Sequence, residues 1–154
     1  MSAFKPHTRR LAGTIRLQGA IDRVFELFSP LGEKHWVPGW DPELLHPEGV
    51  AWTHGLIFRT REERGEAIWV VTRLERAAHD VEYHRVEAGR YVARVSVRCS
   101  PVGLNQTDAA IEYEFIGLSE AGNAEIAAMD ESGYAAKMER WTAWINSYLE
   151  EAGS

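Results

Sequence analysis

The sequence predicts an α+β domain in which a curved antiparallel sheet closes around one long C-terminal helix. Three observations predict it. Apolar residues recur at a period of two from about residue 56 to residue 117. In the two cleanest of these stretches one face is apolar and the other charged, the pattern of an antiparallel sheet wetted on one side. The last segment carries an aromatic stripe at helical spacing, and no other element is long enough to cover the sheet's dry face.

The elements follow in order. Over residues 11–17, Leu11, Ile15 and Leu17 share one strand face while Thr14 and Arg16 take the other, and Gly19 ends the strand. Ile21, Val24, Phe25 and Phe28 then fall at helical spacing, with Asp22, Arg23 and Glu26 opposite; Pro30 and Gly32 stop this short helix. Residues 33–47 contain three prolines and a Pro-Gly pair, which predicts a loop with at most one helical turn. Leu56, Phe58 and Thr60 alternate with Ile57 and Arg59, and residues 67–74 are β-branched-rich and apolar on both faces. Residues 79–86 alternate less cleanly. In the two best strands, Tyr91, Ala93, Val95, Val97 and Cys99 oppose Arg94, Ser96 and Arg98, and Ala109, Ile111, Tyr113 and Phe115 oppose Asp108, Glu112 and Glu114. Pairing these two sets a basic outer face beside an acidic one. From Ser119 a single helix is expected, with Tyr134, Met138, Trp141, Ile145 and Tyr148 inward and Lys137, Glu139, Arg140 and Glu150 pointing away. Gly122 and Gly133 are expected to weaken its start by about 1 kcal/mol each.

Composition narrows the function classes. With 45% apolar and 26% charged residues in 154, the chain suits one globular domain, residues 1–154, with an ordered core at about 10–149. The net charge of −6 argues against a nucleic-acid partner, because phosphate binding needs a clustered positive surface. Arg59, Arg61 and Arg64 are interleaved with Glu62 and Glu63, which reads as a solvated edge. One cysteine, Cys99, excludes an internal disulfide and suggests a cytoplasmic setting. No apolar run of membrane-spanning length follows the basic N-terminal residues. No motif specifies an oligomer.

Three stretches carry a family likeness: Gly32-Glu33-Lys34-His35-Trp36-Val37-Pro38-Gly39-Trp40-Asp41-Pro42, then Leu118-Ser119-Glu120-Ala121-Gly122-Asn123, then Tyr134 through Trp141 to Ile145-Asn146-Ser147-Tyr148-Leu149. In their order and spacing the chain resembles the START-like (Bet v 1-like) superfamily of polyketide cyclase and lipid-transport domains, over about residues 10–149. The resemblance implies a helix-grip fold with an apolar cavity. It implies no single activity, because carriers, cyclases and co-chaperone-like interaction domains share that fold.

Candidate ligand-binding residues follow from the aromatics. Trp36 and Trp40 flank Pro38-Gly39, which favours a type II turn and makes the two indoles either a lid on a cavity mouth or a core plug. Trp52, Phe58, Trp69, Tyr83, Tyr91, Tyr113, Met138 and Trp141 either line a pocket or fill it. The phenols of Tyr83, Tyr91 and Tyr113 and the Arg85 guanidinium are its candidate polar groups. Glu33, His35, Asp41, His46 and His54 match no metal-ligand spacing, so no metal or cofactor is expected. Cys99 ends an apolar strand face and reads as an inert core thiol, and Asn146 reads as a structural cap. The partner expected is a small apolar or amphipathic molecule, held without catalysis. The enzymatic alternative, cyclisation or dehydration of a polyketide-like substrate, would draw on Tyr83, Arg85, Tyr113 or Glu33.

Overall fold

The computed structural model describes residues 3–63 and 65–153. Arg64, which the sequence places on the solvated edge with Arg59 and Arg61, lies outside them. Strand β1, Thr8–Leu17, begins three residues before the apolar pattern does, because its outward arginines have partners on β7, Gln106–Gly117. Arg10 pairs with Glu112 at 2.8 Å, and Arg16 with Asp108 at 2.9 Å. β1 and β7 run antiparallel in unbroken register from Thr8 opposite Ile116 to Leu17 opposite Thr107.

Helix α1, Ile21–Glu26, buries Val24 and Phe25, and a 3-10 turn follows at Gly32–His35. Strand β2, Glu43–His46, was not expected. It is four residues long and bounded by prolines, too short to show a period; cross-strand pairing fixes it, with Glu43 opposite Arg59 and their side chains 2.7 Å apart. The remaining strands are β3 Ile57–Glu62, β4 Gly65–Glu75, β5 Asp80–Glu87 and β6 Tyr91–Gly103. They form one sheet in the order β1-β7-β6-β5-β4-β3-β2, every described neighbour pair antiparallel. The expected basic-acidic neighbour pairing is present: Arg94 of β6 faces Glu114 of β7 across the register at 2.9 Å. Such exposed pairs contribute about 0–1 kcal/mol each and act mainly on register.

The C-terminal segment is two helices, not one: α2, Glu120–Ala127, and α3, Glu131–Gly153. Each start has its own cap. Gly122 N donates to Ser119 Oγ at 3.0 Å, and Gly133 N donates to Asp130 Oδ1 at 2.7 Å. Gly122 is there for close approach: a Cβ on it would lie 1.6 Å from the Arg90 carbonyl oxygen.

α3 buries Tyr134, Met138, Ile145 and Leu149 and packs chiefly on β1. The Tyr134 hydroxyl donates to the Ile111 carbonyl at 2.6 Å, and Asn146 Oδ1 accepts from Gln18 N at 2.8 Å at the end of β1. Asn146 is thus the structural clamp the sequence suggested. With α3 drawn to the β1 side, the concave face over β3 and β4 is covered instead by the loop after α1, whose Trp40 meets Phe58 and Trp69. A cavity remains between these covers. No described helix is long and apolar enough to cross a membrane.

Candidate functional site

The loop that roofs the cavity is tied down by side chains donating to its backbone. Trp36 Nε1 donates to the Leu27 carbonyl, Trp40 Nε1 to that of Pro30, each at 2.7 Å, and the Tyr83 hydroxyl to that of Phe28 at 2.8 Å. Each bond satisfies a carbonyl that an irregular segment leaves orphaned. The turn between the indoles has the expected geometry, with Gly39 at φ +74° and Trp40 N bonded to the Val37 carbonyl. The two tryptophans then part company. Trp36 is 5% exposed and wedged edge-on against Phe28 and Trp141, a plug. Trp40 forms part of the cavity wall.

That cavity measures about 710 Å³. Of the residues the sequence nominates, it brings together Trp40, Phe58, Trp69, Tyr83, Arg85, Tyr113 and Trp141. Phe58 and Trp69 stack with centres 5.5 Å apart and planes 9° from parallel, and Trp40 meets Trp69 edge-on at 5.6 Å. The other four nominees lie elsewhere. Trp36 is the plug. Trp52 is buried behind the wall, its ring tilted against Phe25 at 5.0 Å and its Nε1 donating to the Tyr83 hydroxyl at 2.9 Å. Met138 turns toward β1, and Tyr91 lines a second, smaller cavity of about 300 Å³.

The polar groups sort by what they already hold. Tyr83 both donates and accepts within the protein, and burial holds its phenol well above the usual range, so it serves as structure. Trp69 Nε1 donates to Thr60 Oγ1, which donates to Glu62, and Glu62 lies 3.3 Å from Arg85; this chain fixes the guanidinium 5.3 Å over the Trp69 ring. Arg85 is also 3.3 Å from Glu87, yet its Nε is buried without an acceptor. Residues 79–86 alternate poorly in the sequence because the inward face of β5 carries Arg85, and Glu87 beyond it, after Val81 and Tyr83. The broken alternation was itself a signal of the site.

Lys137 corrects the sequence reading. It does not point away: its Nζ lies 4.0 Å from the centre of the Tyr113 ring and 5.1 Å from that of Trp141, inside the cavity. On a helix, Lys137 is four residues before Trp141 and so about 40° from it around the axis, closer than Met138 at about 60°. Spacing alone therefore favoured an inward Lys137, and its charge argued the other way. Glu33, carried in by the 3-10 turn, faces the same space. Among the described residues neither side chain has a hydrogen bond or ion pair. Burial raises the Glu33 carboxyl well above the usual carboxylate range, with Lys137 opposing the rise. Burial lowers the Lys137 amine to about 8, helped by Arg85 and opposed by Glu33. The rim adds Asp41, Glu43, Arg59 and Arg61, so the cavity is aromatic inside and charged at its mouth. Cys99 is buried away from it, its thiol pushed up to about 12 by desolvation, as an inert core thiol should be.

No protein-family model and no curated protein sequence matches this chain. Solved structures do. Norcoclaurine synthase from Thalictrum flavum, in complex with dopamine and hydroxybenzaldehyde, superposes with a TM-score of 0.64 at 14% identity, covering 90% of this chain and 87% of that one. The Zhui aromatase/cyclase from Streptomyces sp. R1128 gives 0.66 at 14%, covering 96% and 99%. A major latex-like protein from Panax ginseng gives 0.64 at 16%, covering 92% and 97%. All three are START/Bet v 1-like proteins, and this chain has the helix-grip fold that the sequence resemblance implied. At these identities the likeness establishes the fold alone.

Proposed function

We propose that this protein binds a small amphipathic molecule, with an aromatic or other flat apolar body, in the cavity between the sheet and α3. The observation that carries this reading is an aromatic-walled space of about 710 Å³ into which Glu33 and Lys137 project, neither side chain with a hydrogen bond or ion pair among the described residues. That volume lies within the roughly 300–1,000 Å³ of small-molecule sites, and a few placed polar groups in an apolar lining are what such sites use to orient a ligand. Burial against Trp40, Phe58, Trp69 and Trp141 supplies affinity at about 25 cal/mol per Å² of apolar surface. The dopamine and hydroxybenzaldehyde held by the norcoclaurine synthase are molecules of this size and character. A co-chaperone-like role, which predicts a filled core, has less support.

Two tryptophan variants test the reading. Trp40→Ala weakens binding of an apolar fluorescent probe by tenfold or more, a larger effect than its loss of stability. Trp36→Ala costs about 3–5 kcal/mol, the usual range for a buried aromatic, and leaves the affinity of the folded fraction unchanged. Native mass spectrometry of the freshly purified protein identifies the passenger. A protein that carries no passenger and fails to brighten the probe ends this proposal.

A second reading, catalysis, has one observation in its favour. A carboxyl raised and an amine lowered in one desolvated space are the form a general acid and a general base take near neutrality. Conversion of the recovered passenger by stripped protein, stopped by Glu33→Gln, supports catalysis; an unchanged passenger leaves binding.

A further inference from the structure

The larger and smaller cavities share three lining residues, Arg85, Tyr113 and Lys137. Each brings a donor that the protein leaves unused. Arg85 Nε is buried without an acceptor. The Tyr113 hydroxyl has no hydrogen bond among the described residues, though the residue is only 5% exposed. Lys137 Nζ rests on the Tyr113 and Trp141 rings with no carboxylate in ion-pair contact. A buried donor is nearly always satisfied, so the Arg85 Nε, with the unpaired Tyr113 hydroxyl and Lys137 amine beside it on the cavity walls, marks the place of an absent acceptor.

We propose that Arg85, Tyr113 and Lys137 form a seat for the carboxylate of an aromatic acid whose ring lies in the larger chamber. The inference rests on the ligand-binding reading above and names the ligand's class. The charge balance selects a monoanion. Glu62 and Glu87 already face Arg85 at 3.3 Å each, and Glu87 is drawn further toward Arg90 at 2.7 Å. A dianion such as phosphate meets both of these carboxylates and Glu33, whereas a single carboxylate is matched by the ammonium of Lys137, which has no ion pair among the described residues. A carboxylate has two oxygens and lone pairs for three donors, and charge-assisted bonds of this kind are about twice as strong as neutral ones. The flat wall made by stacked Phe58 and Trp69, with Trp40 set edge-on, suits a planar ring beside that carboxylate.

The test is calorimetric titration near pH 7 with 2-naphthoate and its neutral isostere 2-naphthamide. The wild-type protein binds the carboxylate at least tenfold more tightly. Lys137→Met erases the preference while keeping the affinity for the amide, which also serves as the check on folding. Lys137→Arg restores a preference, and Tyr113→Phe weakens 2-naphthoate several-fold and 2-naphthamide little. Equal wild-type affinities, or a preference that survives Lys137→Met, overturn the carboxylate seat and leave the cavity as a binding site. Failure of both probes to bind overturns the seat and the ligand-binding reading together.

Discussion

Glu33 and Lys137 face one cavity and interact across it without a hydrogen bond or ion pair. Each charge therefore opposes folding, and pH separates their effects. The Glu33 carboxyl is raised in the folded protein, so its favourable contribution is complete below the unfolded value of about 4.5 and is lost as pH rises through the folded value. Glu33→Gln is expected to change stability little near pH 4 and to raise it near pH 8, where the unfolded carboxyl is ionised. Lys137 runs the other way. Its folded value of about 8 lies below the unfolded 10.5, so the penalty is full below pH 8 and vanishes as pH rises past 10.5. Lys137→Met is expected to gain about 1–3 kcal/mol near pH 7 and almost nothing near pH 10.5. The two partly offset one another, so the double variant gains more than the sum of the singles. Urea unfolding across pH measures all three; gains independent of pH would place both groups in free contact with solvent.

At the scale of elements, two segments read as weak or irregular turned out to be anchored. Gly122 and Gly133 lower helix propensity, and that cost is real for an isolated helix. In the fold they sit at the capped starts of two separate helices, and Gly122 lets α2 pass against the Arg90 carbonyl. Gly122→Ala, a helix-favouring change on propensity, is therefore expected to destabilise by about 2 kcal/mol or more, read as a fall in melting temperature. A rise would mean that α2 does not approach the Arg90 carbonyl this closely. The loop over residues 27–42 is likewise held, by two indole N–H groups and a phenol reaching its carbonyls. Its turn was legible from Pro38-Gly39, but which tryptophan plugs and which lines was not. That depends on where each indole finds an acceptor, and Leu27 and Pro30 offer theirs only once α1 has packed on the sheet.

Over the whole molecule, stability is unevenly distributed. β6 and β7 lie inside the sheet with long registers on both sides, whereas β2 is a four-residue edge strand beside the cavity. Amides of β2 and of residues 36–42 are expected to exchange with solvent orders of magnitude faster than those of β6 and β7. A bound ligand that buries the wall should slow the first group selectively. Uniform slowing across the sheet would indicate global stabilisation by a ligand seated elsewhere.

The order of the strands other than β2, the apolar face of the cleanest of them and the β6–β7 pairing were set by the sequence alone, since period, branching and charge sign act locally along the chain. Leu11, Ile15 and Leu17, or Arg94 opposite Glu114, needed no tertiary knowledge. The break of the C-terminal segment into α2 and α3, the edge strand β2 and the composition of the site were decided by tertiary structure. A cavity is made by residues that fail to touch, here because α3 leans on β1 and leaves the ground over β3 and β4 to a loop. Period can say which side of an element faces inward. Whether Lys137 finds water, a carboxylate or a ring there depends on the distance between elements, and that is fixed only when the whole chain has packed.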